Sequence, residues 1–191
     1  MTAVEATDRL FFALIPDEKT VEAICGSRRQ LREATGISGA EVLPEHLHVT
    51  LWHVGDAAEP PPAEIIEGLV QRAGQVDLPS FRVSFTRAKS LGKGAFVLYG
   101  GKGVAALKML STRLRDALIA PGAEKREPFM PHMTLLRSKT LVPPREVMSP
   151  ITWTAREIVL VHSLLGKTTH RHVGRLPLRP GAQLWLPGFD F

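Results

Sequence analysis

A single cysteine, Cys25, is the only thiol in the 191 residues, so no internal disulfide can brace the fold. It falls in a helix-like stretch and is expected to fill core rather than attack substrate. Thiol poverty suits a reducing compartment, and a cytoplasmic location is expected. No apolar run reaches the roughly 18 residues of a membrane-spanning helix, so no membrane association is expected. Met1 to Asp8 carries Glu5 and Asp8 and no basic cluster, so a secretory signal is not expected either. Paired cysteines of zinc-finger spacing are missing. So are the G-x-G-x-x-G and G-x-x-x-x-G-K-[ST] spacings of nucleotide loops, and the glycines at 100, 101 and 103 read as a turn. The net charge of +5 and pI near 9.7 favour an anionic partner only weakly, because Lys and Arg are scattered without an arginine-rich tail.

The chain is long enough for one generous core, or for two lobes that share one. Arg9–Ile15 is a short apolar run stopped by Pro16 and reads as a buried strand. Asp17 is a suitable N-cap for a helix over Asp17–Ala34, which Gly36 and Gly39 end. Further strands are expected over Val42–Gly55, Pro79–Lys89, Ala95–Tyr99, Pro131–Arg137, Thr152–Leu165 and His170–Leu178. Helices are expected over Ala63–Ala73 and Val104–Leu118. Ala120–Arg126 reads as a polar loop, Pro143-Pro144 as a turn, and the Pro- and Gly-rich C-terminal stretch as surface packing. The mixture of hairpin-like strand pairs and helices points to an α+β fold with antiparallel sheet, as one domain over residues 1–191.

One phrase is written twice. Pro44-Glu45-His46-Leu47-His48-Val49-Thr50-Leu51 and Pro128-Phe129-Met130-Pro131-His132-Met133-Thr134-Leu135 both read P-x-x-x-H-x-T-L. At this composition roughly 0.06 copies of H-x-T-L are expected by chance, so a pair is informative. Residues two apart on a strand share a face. His48 and Thr50 therefore point one way while Leu47, Val49 and Leu51 point to the core. His132 and Thr134 repeat the pattern.

Two such units can bring two imidazoles and two hydroxyls to one point. Imidazole titrates near neutrality, so one ring can carry a proton while the other lacks it. Phosphodiester cleavage uses both states, a base for attacking water and an acid for the departing oxygen. Threonine hydroxyls can donate to the non-bridging phosphate oxygens and hold phosphorus in line. No metal or other cofactor is required by this scheme.

Three stretches carry a family resemblance. They are Arg9-Leu10-Phe11-Phe12-Ala13-Leu14; Leu47-His48-Val49-Thr50-Leu51 with Gly55; and Pro131-His132-Met133-Thr134-Leu135 with Arg137. Together they resemble the two-histidine (2H) phosphoesterases, and more closely their RNA 2′,3′-cyclic phosphodiesterases, formerly called 2′-5′ RNA ligases, of LigT-like fold. The resemblance implies a bilobal fold, with two pseudo-symmetric lobes of antiparallel sheet and outer helices around a central cleft. It implies hydrolysis of a ribose 2′,3′-cyclic phosphate, on RNA ends or nucleotides, to a 2′-phosphate. His48 would be the general acid and His132 the general base, with Thr50 and Thr134 on the phosphate. Arg137 matches an arginine that often follows the second motif and would bind substrate by adding charge near the phosphate; simple alternation sets it on the face opposite His132, so that role needs a twist or bulge in the strand. Two places depart from the pattern: His53 stands where an aromatic is usual, and His170 and His172 where a tyrosine is common.

Other residues were candidates for binding. Phe11, Phe12, Trp52 and Phe129 could stack a base, and Trp52 leads because alternation gives it the face of His48 and Thr50. His46-x-His48 has a spacing that also serves zinc on a strand, with His162, His170 and His172 as further donors. The competing readings are 2′-5′ ligation or cleavage by the same residues, a zinc hydrolase, and a noncatalytic RNA-binding module. Resistance of turnover to EDTA separates the metal reading, and binding without turnover marks the module. A monomer with no protein partner is expected.

Overall fold

The computed structural model describes residues 5–119 and 129–181. Strand β1 (Asp8–Leu14) leads into helix α1 (Glu18–Thr35). Asp17 starts that helix as expected, its Oδ1 accepting from the Thr20 N–H at 2.9 Å and the Thr20 hydroxyl at 2.6 Å. Gly36, at φ 67°, ends it by donating its N–H to the Arg32 carbonyl. The two-residue β2 (Ala40–Glu41) and the first motif strand β3 (Val49–Ala57) follow. Next come helix α2 (Ala63–Ala73), strands β4 (Phe81–Leu91) and β5 (Ala95–Tyr99), and helix α3 (Val104–Leu118). The second motif strand β6 (His132–Arg137) precedes β7 (Arg145–Ala155), β8 (Glu157–Leu164) and β9 (Thr169–Pro177).

The sheet runs β7-β4-β5-β6-β3-β1-β8-β9, with every neighbouring pair antiparallel and β2 added beside β6. The architecture is therefore the α+β one expected. Two four-stranded halves, β9-β8-β1-β3 and β7-β4-β5-β6, meet where Val49 pairs with Met133. Each half ends inward on a motif strand.

Alternation along β1 divides the two faces. Phe12 points into the main core with Phe85, Phe96, Leu107, Leu110 and Leu114, beneath the helices. Phe11 points the other way, into a small cluster with Ala13, Val159 and Val161. The helices thus cover one face and leave the other open for a cleft.

The glycine triplet is a turn. Gly100, Gly101 and Gly103 all have positive φ, and a Cβ on Gly101 or Gly103 would sit 2.2 Å or 2.1 Å from the carbonyl oxygen of Ser84 or Arg82. The strand expected over Thr152–Leu165 is instead two strands, β7 and β8, separated at Arg156. Strand β7 begins before Pro150; at the outer edge of the sheet the missing N–H of that proline costs no ladder bond. The expected loop over Ala120–Arg126 lies outside the described residues, as does the C-terminal stretch beyond 181. No helix among the described residues is long and apolar enough to cross a membrane.

Candidate active site

The antiparallel register at Val49–Met133 arranges the motif side chains. Val49 and Met133 are fully buried, so the residues flanking them project to the open face. The same register sets His48 opposite Thr134 and Thr50 opposite His132. All four line a cleft of about 400 Å³, each half-buried.

Both imidazoles are oriented by the same local device. Nδ1–H of His48 donates to the His46 carbonyl at 2.7 Å, and Nδ1–H of His132 donates to the Met130 carbonyl at 2.8 Å. A carbonyl can only accept, so the proton is fixed on Nδ1 and Nε2 is left for the cleft. Nε2 of His48 lies 3.1 Å from the Thr50 hydroxyl, which donates to it when the ring is neutral. Desolvation pushes His48 below its ordinary value of 6.5, and charge on His132 and His46 pushes the same way. The hydrogen bond to the His46 carbonyl works against them, and desolvation outweighs it.

The wall beside His48 is aromatic. Phe11 lies 4.9 Å from it between ring centroids, His170 lies 5.6 Å from it edge-on, and His46 stacks on His170 at 4.1 Å. Burial, and then the neighbouring imidazoles His46, His48 and His172, bring His170 down to about 4. Of the four stacking candidates, Phe11 lines the cleft. Phe12 is core, and Phe129 packs partly against it.

Arg137 lines the cleft after all. In the pairing of β6 with β5, Phe96 faces Leu136 and Val97 faces Thr134, so Leu135 is an extra, bulged residue. That bulge reverses the alternation and returns Arg137 to the face of Thr134. The same irregularity corrects the expectation for Trp52. In the β1–β3 pairing Phe12 faces Trp52 and Ala13 faces Thr50, which leaves Leu51 bulged. Trp52 is consequently turned against the main core, and His53 takes the cleft face.

His53 and Arg9 form one corner of the cleft, and Asp56 binds both. Arg9 grips Asp56 through two hydrogen bonds of 2.7 and 2.6 Å, and His53 Nε2 lies 2.8 Å from the same carboxylate. The Arg9 guanidinium first, and His53 second, hold Asp56 well below the ordinary carboxylate range. Glu41 and Leu43 complete the opposite rim. Sequence reasoning noted His53 and His170 only as departures from a family pattern, and Arg9 only as part of a strand. Nothing in strict alternation could have placed His53 here. Among the described residues no group of three His, Cys, Asp or Glu side chains is placed to hold a metal ion; His46 and His48 do not assemble one with His162, His170 or His172.

Comparison with known proteins follows the same line. Residues 20–167 match the family model described as the 2′-5′ RNA ligase superfamily. The sequence is 31% identical over 140 residues to an Archaeoglobus fulgidus protein named RNA 2′,3′-cyclic phosphodiesterase, covering 69% of this chain and 73% of that one. Its fold is similar to apo E. coli LigT, with a TM-score of 0.74, 25% identity, and 92% and 99% of the two chains covered. The E. coli LigT complex with 3′-AMP is similar at a TM-score of 0.68 and 25% identity, with 92% and 96% covered.

Proposed function

The chain belongs to the 2′-5′ RNA ligase superfamily of two-histidine phosphoesterases, and we propose that it hydrolyses ribose 2′,3′-cyclic phosphates, on RNA ends or nucleotides, to 2′-phosphates without a metal. The observation that carries this reading is the convergence of His48, Thr50, His132 and Thr134 on one cleft, with both rings locked by Nδ1. The name of the A. fulgidus relative supports the cyclic substrate.

The substrate phosphate sits between the motif strands. The hydroxyls of Thr50 and Thr134 donate to its non-bridging oxygens, and Arg137 adds charge from the β6 side. His132 Nε2 takes a proton from water as the water oxygen bonds to phosphorus. The bond from phosphorus to the 3′ oxygen breaks, and His48 Nε2–H delivers a proton to that oxygen. The product is a 2′-phosphate with a free 3′ hydroxyl; one water is consumed, and the proton balance is restored by exchange between the rings and solvent.

Acting as the acid requires a proton on His48 Nε2, and burial lowers the pKa of that ring. An anionic phosphate favours the imidazolium, which offsets the desolvation that lowers the pKa of the ring. The superfamily name also carries a second reading, 2′-5′ ligation, in which an RNA 5′ hydroxyl takes the place of water at the same quartet. Hydrolysis prevails wherever bulk water outcompetes that second RNA end.

The test is adenosine 2′,3′-cyclic phosphate with EDTA present, the product being read by phosphorus NMR. A 2′-phosphate made by the native protein, and lost in His48→Ala and His132→Ala, is expected. Inhibition by EDTA, or binding without turnover, overturns the proposal. Roles are separated with a ribonucleoside 2′-(p-nitrophenyl phosphate), whose nitrophenolate leaves without a proton. That substrate is expected to restore turnover to His48→Ala and not to His132→Ala.

A further inference from the structure

The bulges that aim His53 and Arg137 are each held from behind by a helix of the opposite half. Helix α3 follows β5, in the half that carries the second motif, yet its Ser111 hydroxyl donates to the carbonyl of Leu51 at 2.8 Å. Helix α1 follows β1, in the half that carries the first motif, yet Arg28 Nη1 reaches the carbonyl of Leu135 at 3.4 Å and that of Val42 at 2.6 Å. The Val42 N–H also donates to the Leu135 carbonyl, at 2.9 Å, and Arg28 Nη2 pairs with Glu41 at 2.8 Å. Leu51 and Leu135 are the same residue of the two H-x-T-L motifs. Both are bulged, and both have a carbonyl bonded by a side chain from the other half. Ser111 and Arg28 are themselves buried.

We propose that Ser111 and Arg28 are positioning residues that set the two bulges, and that His53 is the substrate-contacting counterpart of Arg137 on the first-motif side of the cleft. A bulge left without these donors can relax toward regular pairing, and one step of register exchanges the faces of every later side chain on the strand. In β3 that exchange would trade His53 for Trp52, and in β6 Arg137 for Leu136. The crossed grip also ties each motif strand to the other half, so the spacing of the two histidines and the aim of the two flanking residues are fixed by the same contacts.

The inference rests on the cyclic phosphodiesterase reading for its substrate but not for its test, which is a pair of double-mutant cycles on the full-length chain. Ser111→Ala is combined with His53→Ala, and Arg28→Met with Arg137→Ala. Each is read by titration with inorganic phosphate and by kcat/KM on adenosine 2′,3′-cyclic phosphate. Each positioning variant is expected to weaken phosphate binding about tenfold alone, and less than twofold once its partner is already alanine. Ser111→Thr, which keeps the hydroxyl, is expected to restore binding. Arg28→Lys serves if Arg28→Met does not fold; it keeps the charge, loses the fork, and is expected to show the same coupling. Effects that multiply independently of residues 53 and 137, or a loss of stability with unchanged phosphate binding, would overturn the proposal. Absence of turnover by the native protein sinks the functional reading instead, and leaves the phosphate cycles to decide this one.

Discussion

Replacing Phe11 with alanine tests whether enclosure by the aromatic wall lowers the His48 pKa. Phe11 is 4% exposed and packs with Ala13, Val159 and Val161 on one side and with the His48 ring on the other. Truncating a buried phenylalanine costs about 3–5 kcal/mol. The lower end applies here, because the vacated space opens to the cleft and fills with water instead of remaining a dry cavity. A domain of this size has about 5–15 kcal/mol in hand, so the variant stays folded. Water admitted beside the ring removes the leading cause of its depression, and the His48 pKa moves up toward 6.5. Each unit of that rise corresponds to about 1.4 kcal/mol of recovered hydration of the imidazolium. The assay is an NMR titration of the His48 Cε1–H, paired with the pH dependence of kcat/KM, in which the limb that reports His48 moves to higher pH by the same amount. A folded Phe11→Ala protein in which His48 titrates where it did before would refute the reasoning.

Two further outcomes are expected. His48, His170 and His172 are all held below 6.5 in the folded chain, so the unfolded chain binds protons first on acidification. Stability is then full above pH 6.5 and falls toward about pH 4; it falls again below 3.8, as Asp8, Asp17 and Asp56, whose values are lowered in the folded chain, become protonated. Urea midpoints measured from pH 8 to pH 3 check this, and a flat profile between 6.5 and 4 would contradict it. Thr134→Val and Thr50→Val keep the shape and remove the donor to phosphate; each is expected to lower kcat about 10²–10³-fold with an unchanged melting temperature, and a loss under twofold would remove the hydroxyls from the mechanism.

The repeated H-x-T-L phrase was enough to find the quartet, because burial of Val49, Leu51, Met133 and Leu135 behind the strands is a period-two property that a sequence displays directly. The Asp17 cap and the three helices were legible for the same local reason. One feature decides both Arg137 and Trp52: a bulge adds a residue without leaving a mark in the pattern of apolar positions, and it brings Arg137 to the cleft while turning Trp52, expected there, against the core. Leu51 and Leu135 look like ordinary core leucines, and the donors that hold their carbonyls, Ser111 and Arg28, are 60 and 107 residues away in the chain. The apolar run from Thr152 to Leu165 reads as one strand because its pattern shows no break at Arg156, where β7 passes into β8 on the far side of the sheet. The depressed His170 could not be anticipated, since its causes, burial first and then the neighbouring imidazoles His46, His48 and His172, arise only once β9 is folded beside the first motif.

A crystal structure with inorganic phosphate bound measures the central claim directly. The account predicts one phosphate between β3 and β6, with Nε2 of His48, Nε2 of His132 and both threonine hydroxyls within hydrogen-bond distance of its oxygens. A phosphate held by one motif alone, or seated away from both histidines, would contradict it.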